Sequence, residues 1–286
     1  MRLCNPRSAV SPCIRREIAA RSTNPCHSDN QYFFHETTHE MNSSRLSAKA
    51  GGRPYARRAI LGAGLASCLA ALAAHAGPAP GNRLRRLAAA IHAQAPNISI
   101  KAASTALDAY EHARLRHLTD KRLVTIVDYS PPSNERRLAV VDVRTGKVLI
   151  YTYVAQGKGS GLKYATRFSN EPGSLASSIG VYLTGHTYYG NDGYSLRLHG
   201  LDPGFNTAAY RRDIVVHSAW YVSKAFAQKY GRMGQSWGCF ALSRNVERAV
   251  VKLIRGATVL VGYYPNRKWL HSSRCQPRRH RRRPAP

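Results

Sequence analysis

Apolar positions along this chain change rhythm near residue 123. Before it, Leu84, Leu87, Ala88 and Ile91 recur at helical spacing, and a second helical pattern runs from about Ser104 to Leu118 with Leu107, Tyr110 and Leu115 on one face. Pro96-Asn97 separates the two. After it come short β-branched and aromatic runs at 123–127, 138–143, 148–154, 180–184, 194–198, 214–216 and 258–264, punctuated by Gly, Pro and Asn. Thr145-Gly146 sits between two of them as a hairpin turn. A helix with Val246, Val250, Leu253 and Ile254 on its apolar face precedes the last run. This pattern predicts a mainly β fold, antiparallel strands closing into a sandwich or barrel with one packed helix, preceded by a small helical region.

The longest apolar stretch lies elsewhere, the 18 mostly Ala and Leu residues from Ala59 to Ala76. It falls short of the roughly 20 residues that span a bilayer core, so no transmembrane span is expected in the mature protein. Lys49, Arg53, Arg57 and Arg58 precede it and Ala74-His75-Ala76 closes it before Gly77, the form of an export signal with its cleavage site. A buried core helix is the plainer alternative. A signal belongs at the start of translation, which points to Met41, and residues 1–40 carry no apolar periodicity. The chain is read as a leader over 1–40, a signal over 41–76, a linker and helical region over 77–120, a strand-rich domain over 121–265 and a basic, disordered tail over 266–286. Export places the mature protein in the periplasm or cell envelope.

Composition adds charge to this picture. Against 15 Asp+Glu stand 43 Lys+Arg, a formal net charge of +28, while 43% hydrophobic residues exclude wholesale disorder. The arginine-rich tail can hold anionic lipid headgroups or wall polymers by Coulomb attraction. A rival class follows from it, a non-catalytic basic envelope protein bound to polyanions by charge. Export removes nucleic acid as a partner. Cys4, Cys13 and Cys26 fall in the leader and Cys68 in the signal, leaving Cys239 and Cys275, too few for a disulfide scaffold. An oxidising compartment can still pair those two if the fold brings them together.

Three motifs match a pattern without its context. His35-Glu36-Thr37-Thr38-His39 has the zinc-protease form but lies ahead of the export signal with no third ligand in view. Gly234-Gln235-Ser236-Trp237-Gly238 has the nucleophile-elbow form, yet only Glu247 is acidic downstream and no strand precedes Ser236 directly. Gly157-Lys158-Gly159-Ser160-Gly161 lacks Walker spacing and reads as a flexible strand-to-strand loop.

One constellation fits a complete chemistry. Cysteine catalysis needs a thiolate, a base within reach and donors for the developing oxyanion. His217 ends the apolar run Ile214-Val215-Val216, and Cys239 follows the glycine-rich Ser236-Trp237-Gly238. The plainer alternative is a structural Cys239 and a satisfied strand-end histidine. Asp213, four residues from His217, is about 13 Å away along a strand, too far to orient the ring, so a backbone carbonyl or Ser218 is the better third partner. Asp192, Asp202 and Asp213 sit in separate segments and offer no carboxylate pair for glycoside hydrolysis.

At these residues the chain resembles the murein L,D-transpeptidase catalytic-domain family, from about Leu123 to Tyr264. The resemblance rests on Asp128-Tyr129-Ser130-Pro131-Pro132-Ser133, Phe168-Ser169-Asn170-Glu171-Pro172-Gly173-Ser174, Gly193-Tyr194-Ser195-Leu196-Arg197-Leu198 and above all Gly231-Arg232-Met233-Gly234-Gln235-Ser236-Trp237-Gly238-Cys239 after Val216-His217. It implies the transpeptidase type of β fold and a peptidoglycan stem peptide as substrate. Cys239 would attack the third residue of a tetrapeptide stem and expel D-alanine. An amine then takes the acyl group as a 3→3 cross-link, or water takes it in an L,D-carboxypeptidase reaction. His217 would be the base, the Ser218 carbonyl its orienting partner, and the Gly238 and Cys239 N–H groups the oxyanion hole. Ser236, Trp237, Arg232 and Tyr194 are candidate substrate contacts, and Arg244 a second candidate for a stem carboxylate. No metal or organic cofactor is implied, and carbapenem sensitivity is expected by analogy. The chain departs from the family pattern at Phe240, Ala241 and Gln156, where proline, arginine and histidine are usual.

Overall fold

The structure, a computed structural model, describes residues 80–273. The leader, the export signal, the zinc-protease-like motif, Cys275 and most of the basic tail lie outside the described residues. Two helices come first, α1 (Pro80–Gln94) and α2 (Ile100–Leu115). Ser99 caps α2, its Oγ accepting from Ala102 N at 3.1 Å, so the helix starts four residues before the apolar periodicity announced it. Its buried stripe is mostly alanine, with Ala102, Ala106, Ala109 and Ala113 beside Leu107 and Tyr110. Leu115, expected on that stripe, is instead 78% exposed. Small side chains rather than leucines set which face of α2 meets the sheet.

Eight strands follow: β1 (Leu123–Asp128), β2 (Leu138–Asp142), β3 (Lys147–Thr152), β4 (Gly180–Gly190), β5 (Gly193–Gly200), β6 (Val215–Ala219), β7 (Phe240–Ser243) and β8 (Val259–Tyr263). They form one sheet in the order β3-β2-β1-β8-β4-β5-β6-β7. The mainly β class is as expected, but the sheet is mixed and open, neither an all-antiparallel sandwich nor a closed barrel. β8, last in the chain, inserts between β1 and β4 and runs parallel to β1, and β6 runs parallel to β7. The segments after β3 and before or within β7 approach through two isolated bridges, Ala155 to Ala241 and Gly157 to Ser236.

The β6-to-β7 crossover carries α3 (Lys224–Tyr230), capped by Ser223 and ended by Gly231 in the left-handed conformation. α4 (Glu247–Ile254) is the expected packed helix, burying Val250, Val251 and Ile254. α5 (Arg267–Ser272) opens the segment expected to be a disordered tail. Trp269 anchors it, wholly buried and donating from Nε1 to Asp202 Oδ2 at 2.7 Å.

One core joins the helices to the sheet, with Ile91, Ile98, Ala106 and Tyr110 in the same buried cluster as Val124, Val140, Leu260 and Val216. Asp128 ties α2 to β1 at its buried carboxylate, accepting from Ser99 N and Ser99 Oγ at 3.0 and 2.8 Å. Among the described residues no helix is long and apolar enough to cross a membrane.

Candidate active site

Strand alternation places the histidine. Val216 points into the main core, while Ala219 and Ala241 belong to a smaller cluster on the other face, so His217 is on that second face. The residue is only 4% exposed. Its Nδ1 lies 2.9 Å from Ser218 O, an atom that can only accept, so Nδ1 is the donor and in the neutral ring the lone pair falls to Nε2. Asp192 Oδ2, at the tip of the β4–β5 hairpin, stands 3.7 Å from the same Nδ1.

Parallel pairing of β6 and β7 sets the cysteine. Val216 is in register with Phe240 and His217 with Ala241, so Cys239 falls beside Val215 and shares a face with His217. Two residues along one strand and one strand across place their Cα atoms about 8 Å apart, a span that two side chains on one face can bridge. The turn before Cys239 is held from within, as Ser236 Oγ donates to Cys239 O at 2.8 Å and accepts from Gly238 N at 3.2 Å. Those bonds assign Ser236 a structural position and leave the elbow-serine reading without a free hydroxyl. Gly238 has φ +122°, and a Cβ there would meet Ala176 O and Ile214 Cδ1 at 2.8 Å, so only glycine fits.

At rest the thiol is protonated. Cys239 Sγ donates to Asp213 O at 3.3 Å, and burial, reinforced by the charges of Asp192 and Asp213, pushes its pKa up to about 11. A bond to the backbone at Val215 and the Arg212 cation work in the opposite direction.

Arg212 was not visible as a site residue in the sequence. Its guanidinium pins the 169–178 loop against the cysteine turn, donating to Ser169 O, Ser178 Oγ and Ala176 O at 2.7 Å each and to Ser174 Oγ at 3.1 Å. Tyr221 and Asp192 were missed as well. Burial pushes the Tyr221 phenol up to about 12, and a negative Cys239 thiolate and the Asp192 carboxylate push in the same direction. No fixed spacing links these three to Cys239 or His217, because the contacts run between β4–β5, the β6 flanks and the cysteine turn.

The 157–161 loop, expected to be flexible, is held on several sides. Gly157 N donates to Ser177 Oγ, which in turn donates to Gly238 O, and a Cβ on Gly157 would sit 2.8 Å from Gly238 N and Cα. Gln156 is wholly buried and donates to Leu162 O and Gly161 O at 2.9 and 3.2 Å. Its Oε1 accepts from Arg137, a buried cation whose burial lowers its pKa to about 10. Gln156 therefore holds the loop rather than facing the thiol.

The remaining candidates separate. Trp237 is 77% exposed beside the cysteine turn. Arg232 turns back on its own loop, donating to Met233 O at 3.0 Å, and Arg244 is exposed beyond β7. Tyr194 packs with Tyr189 at 5.2 Å and under Arg248, partly buried against the main core. The Asp213 carboxylate is taken by Arg197. A cavity of about 650 Å³ between Phe168, Ile179, Phe205 and Tyr264, rimmed by Arg167 and Asn170, excludes both Cys239 and His217. Among the described residues no cluster of His, Cys, Asp and Glu is placed to hold a metal ion.

A family model described as the L,D-transpeptidase catalytic domain matches residues 94–263, beginning at the last residue of α1. Solved structures similar to the chain include an L,D-transpeptidase from Mycobacterium smegmatis, at 12% identity and TM-score 0.32 over 50% of this chain and 59% of that one. The LD transpeptidase LdtMt1 in complex with imipenem is 17% identical, TM-score 0.29, over 49% and 58%. An L,D-transpeptidase (Yku) from Stackebrandtia nassauensis is 11% identical, TM-score 0.31, over 63% and 90%. The chain thus spans under two thirds of the first two. No curated protein matches it in sequence.

Proposed function

The chain belongs to the L,D-transpeptidase catalytic-domain family, and on that premise we propose that it is a cysteine acyltransferase acting on peptidoglycan stem peptides. The observation that carries this reading is the pairing of β6 with β7, which sets a Nδ1-protonated His217 and the Cys239 thiol on one face of adjacent strands.

The steps follow from the site. His217 Nε2 takes the thiol proton as Cys239 Sγ attacks the carbonyl of the third stem residue. The tetrahedral oxyanion is received by the N–H groups of Gly238 and Cys239. The Gly238 N–H is held at rest by Ser236 Oγ at 3.2 Å, a long bond that an anionic acceptor outcompetes. Collapse breaks the peptide bond, and His217 returns its proton to the departing D-alanine amine, leaving a thioester on Cys239. A side-chain amine of a second stem then attacks the thioester and restores the thiol, giving a 3→3 cross-link, while water in its place gives L,D-carboxypeptidase activity. Arg212, held by four oxygens of the 169–178 loop, keeps a cation beside the thiolate and fixes the wall of the site. Exposed Trp237 is placed to contact the stem.

The reaction belongs outside the cytoplasm, consistent with the export signal read at 41–76. A carbapenem, a strained acyl donor, is expected to acylate the same thiol, as befits a family with an imipenem complex among its solved members. The test is incubation of the purified chain with disaccharide-tetrapeptides. D-alanine release that vanishes in Cys239→Ser and His217→Ala supports the reading. Unchanged muropeptides with folded wild-type protein would leave the charge-bound envelope protein as the better account.

A further inference from the structure

His217 Nδ1 has one hydrogen-bond acceptor and a carboxylate close by. Ser218 O takes its proton at 2.9 Å, and Asp192 Oδ2 stands 3.7 Å from the same nitrogen. Asp192 occupies the turn between Gly190 and Gly193, and that turn is tied down over β6 because Ser218 Oγ donates to Asp192 O at 3.3 Å. A carbonyl fixes the tautomer of a neutral imidazole, but it offers only a dipole to the imidazolium formed when the thiol proton is taken. A carboxylate at the same nitrogen offers a full opposite charge.

We infer that Asp192 is a positioning residue that stabilises the imidazolium form of His217 and thereby helps set the pH range in which Cys239 can be acylated. The inference rests on His217 serving as the base of Cys239. Other charged and titratable groups face this pair from every neighbouring element. Asp213, ahead of β6, is paired with Arg197 of β5. Arg212 commits its guanidinium to the 169–178 loop. Tyr221, after β6, lies within electrostatic reach of Cys239 and Asp192, and Cys239 itself stands before β7. Among these, Asp192 is the acid left to answer a positive imidazole. Its side chain is 65% exposed, so solvent and salt screen its effect.

The signature of this role is electrostatic. Removing one negative charge makes both members of the pair lose protons more readily, so both limbs of the rate–pH profile move to lower pH. The experiment measures acylation by imipenem and alkylation by iodoacetamide from pH 5 to 11 for wild type, Asp192→Asn and Asp192→Glu. In Asp192→Asn both limbs shift down by roughly half a pH unit in low salt, the shift shrinks in 1 M salt, and imipenem acylation slows several-fold. Asp192→Glu keeps the wild-type limbs. Limbs that stay in place in Asp192→Asn, with only a lower plateau, overturn the inference and reduce Asp192 to a turn residue. Should Asp192→Asn fail to fold, Asp192→Ser, which also removes the charge from the turn, is read for the same downward shift relative to wild type, and limbs that stay in place there overturn the inference equally. Iodoacetamide needs no stem recognition, so its profile tests Asp192 even where imipenem leaves the wild type unmodified, an outcome that counts against the transpeptidase reading instead.

Discussion

Gly238 and Ser236 show what the cysteine turn demands of single residues. A methyl group on Gly238 would place a non-glycine residue at φ +122° and drive its Cβ to 2.8 Å from Ala176 O. Gly238→Ala is therefore expected to lower stability by about 2 kcal/mol or more and to abolish imipenem acylation, read by thermal melting and intact mass. Ser236→Ala removes a donor to Cys239 O and the acceptor of Gly238 N–H but leaves the thiol in place. It should cost about 1 kcal/mol and slow acylation about 10-fold without ending it. A serine-hydrolase elbow would lose all activity with this change, so the residual rate separates the two readings. Cys239 and His217 stood out in the sequence as candidates because reactive residue types fall at a strand end and after a glycine turn. Arg212, Tyr221 and Asp192 were not, since hairpin packing and strand register, not spacing, bring them to the site. Asp192 was passed over as a lone acid in a separate segment, which is true along the chain and false across the sheet.

At the scale of elements, most strands could be read from β-branched runs, with boundaries within a few residues of those expected except at β4, which runs six residues past its apolar start to Gly190. β7 could not, because Phe240-Ala241-Leu242-Ser243 is four residues long and emerges straight from a glycine turn. Its parallel partnership with β6 depends on the crossover through α3, and nothing local encodes it. The same limit hid the insertion of β8 between β1 and β4, since antiparallel neighbours announce themselves by turns and parallel ones do not. α1, α2 and α4 were legible as amphipathic patterns, whereas the short α3 and α5 were not, and the place of the first two helices in the same core as the sheet was not legible either. Asp128→Ala tests that unity, for it leaves Ser99 N and Ser130 N without their buried acceptor at the α2 to β1 junction. The expected cost is about 2 to 4 kcal/mol. Far-UV dichroism and tyrosine fluorescence should fall in one shared transition, and helices melting ahead of the sheet would show two separable units.

For the molecule as a whole, the thiol links folding to pH. Cys239 binds its proton more tightly in the folded chain, with a pKa of about 11 against about 9 when free. The unfolded chain therefore gives up that proton first as pH rises. The associated stability is complete below about pH 9 and is lost progressively toward pH 11. Urea unfolding between pH 8 and 11 should show wild type losing on the order of 1 kcal/mol more than Cys239→Ala across that window. Parallel curves would mean that the thiol is not held in a desolvated site. The net charge of +28 sits over this chemistry without defining it, and it was the least informative number in the sequence about the reaction. The central claim is that Cys239 is a nucleophile awaiting an acyl donor. It is tested most directly by intact mass of the reduced protein after incubation with imipenem, wild type beside Cys239→Ser. A single covalent adduct on wild type and none on Cys239→Ser is the predicted result. A folded, reduced wild type that stays unmodified, or an adduct that survives in Cys239→Ser, would contradict it.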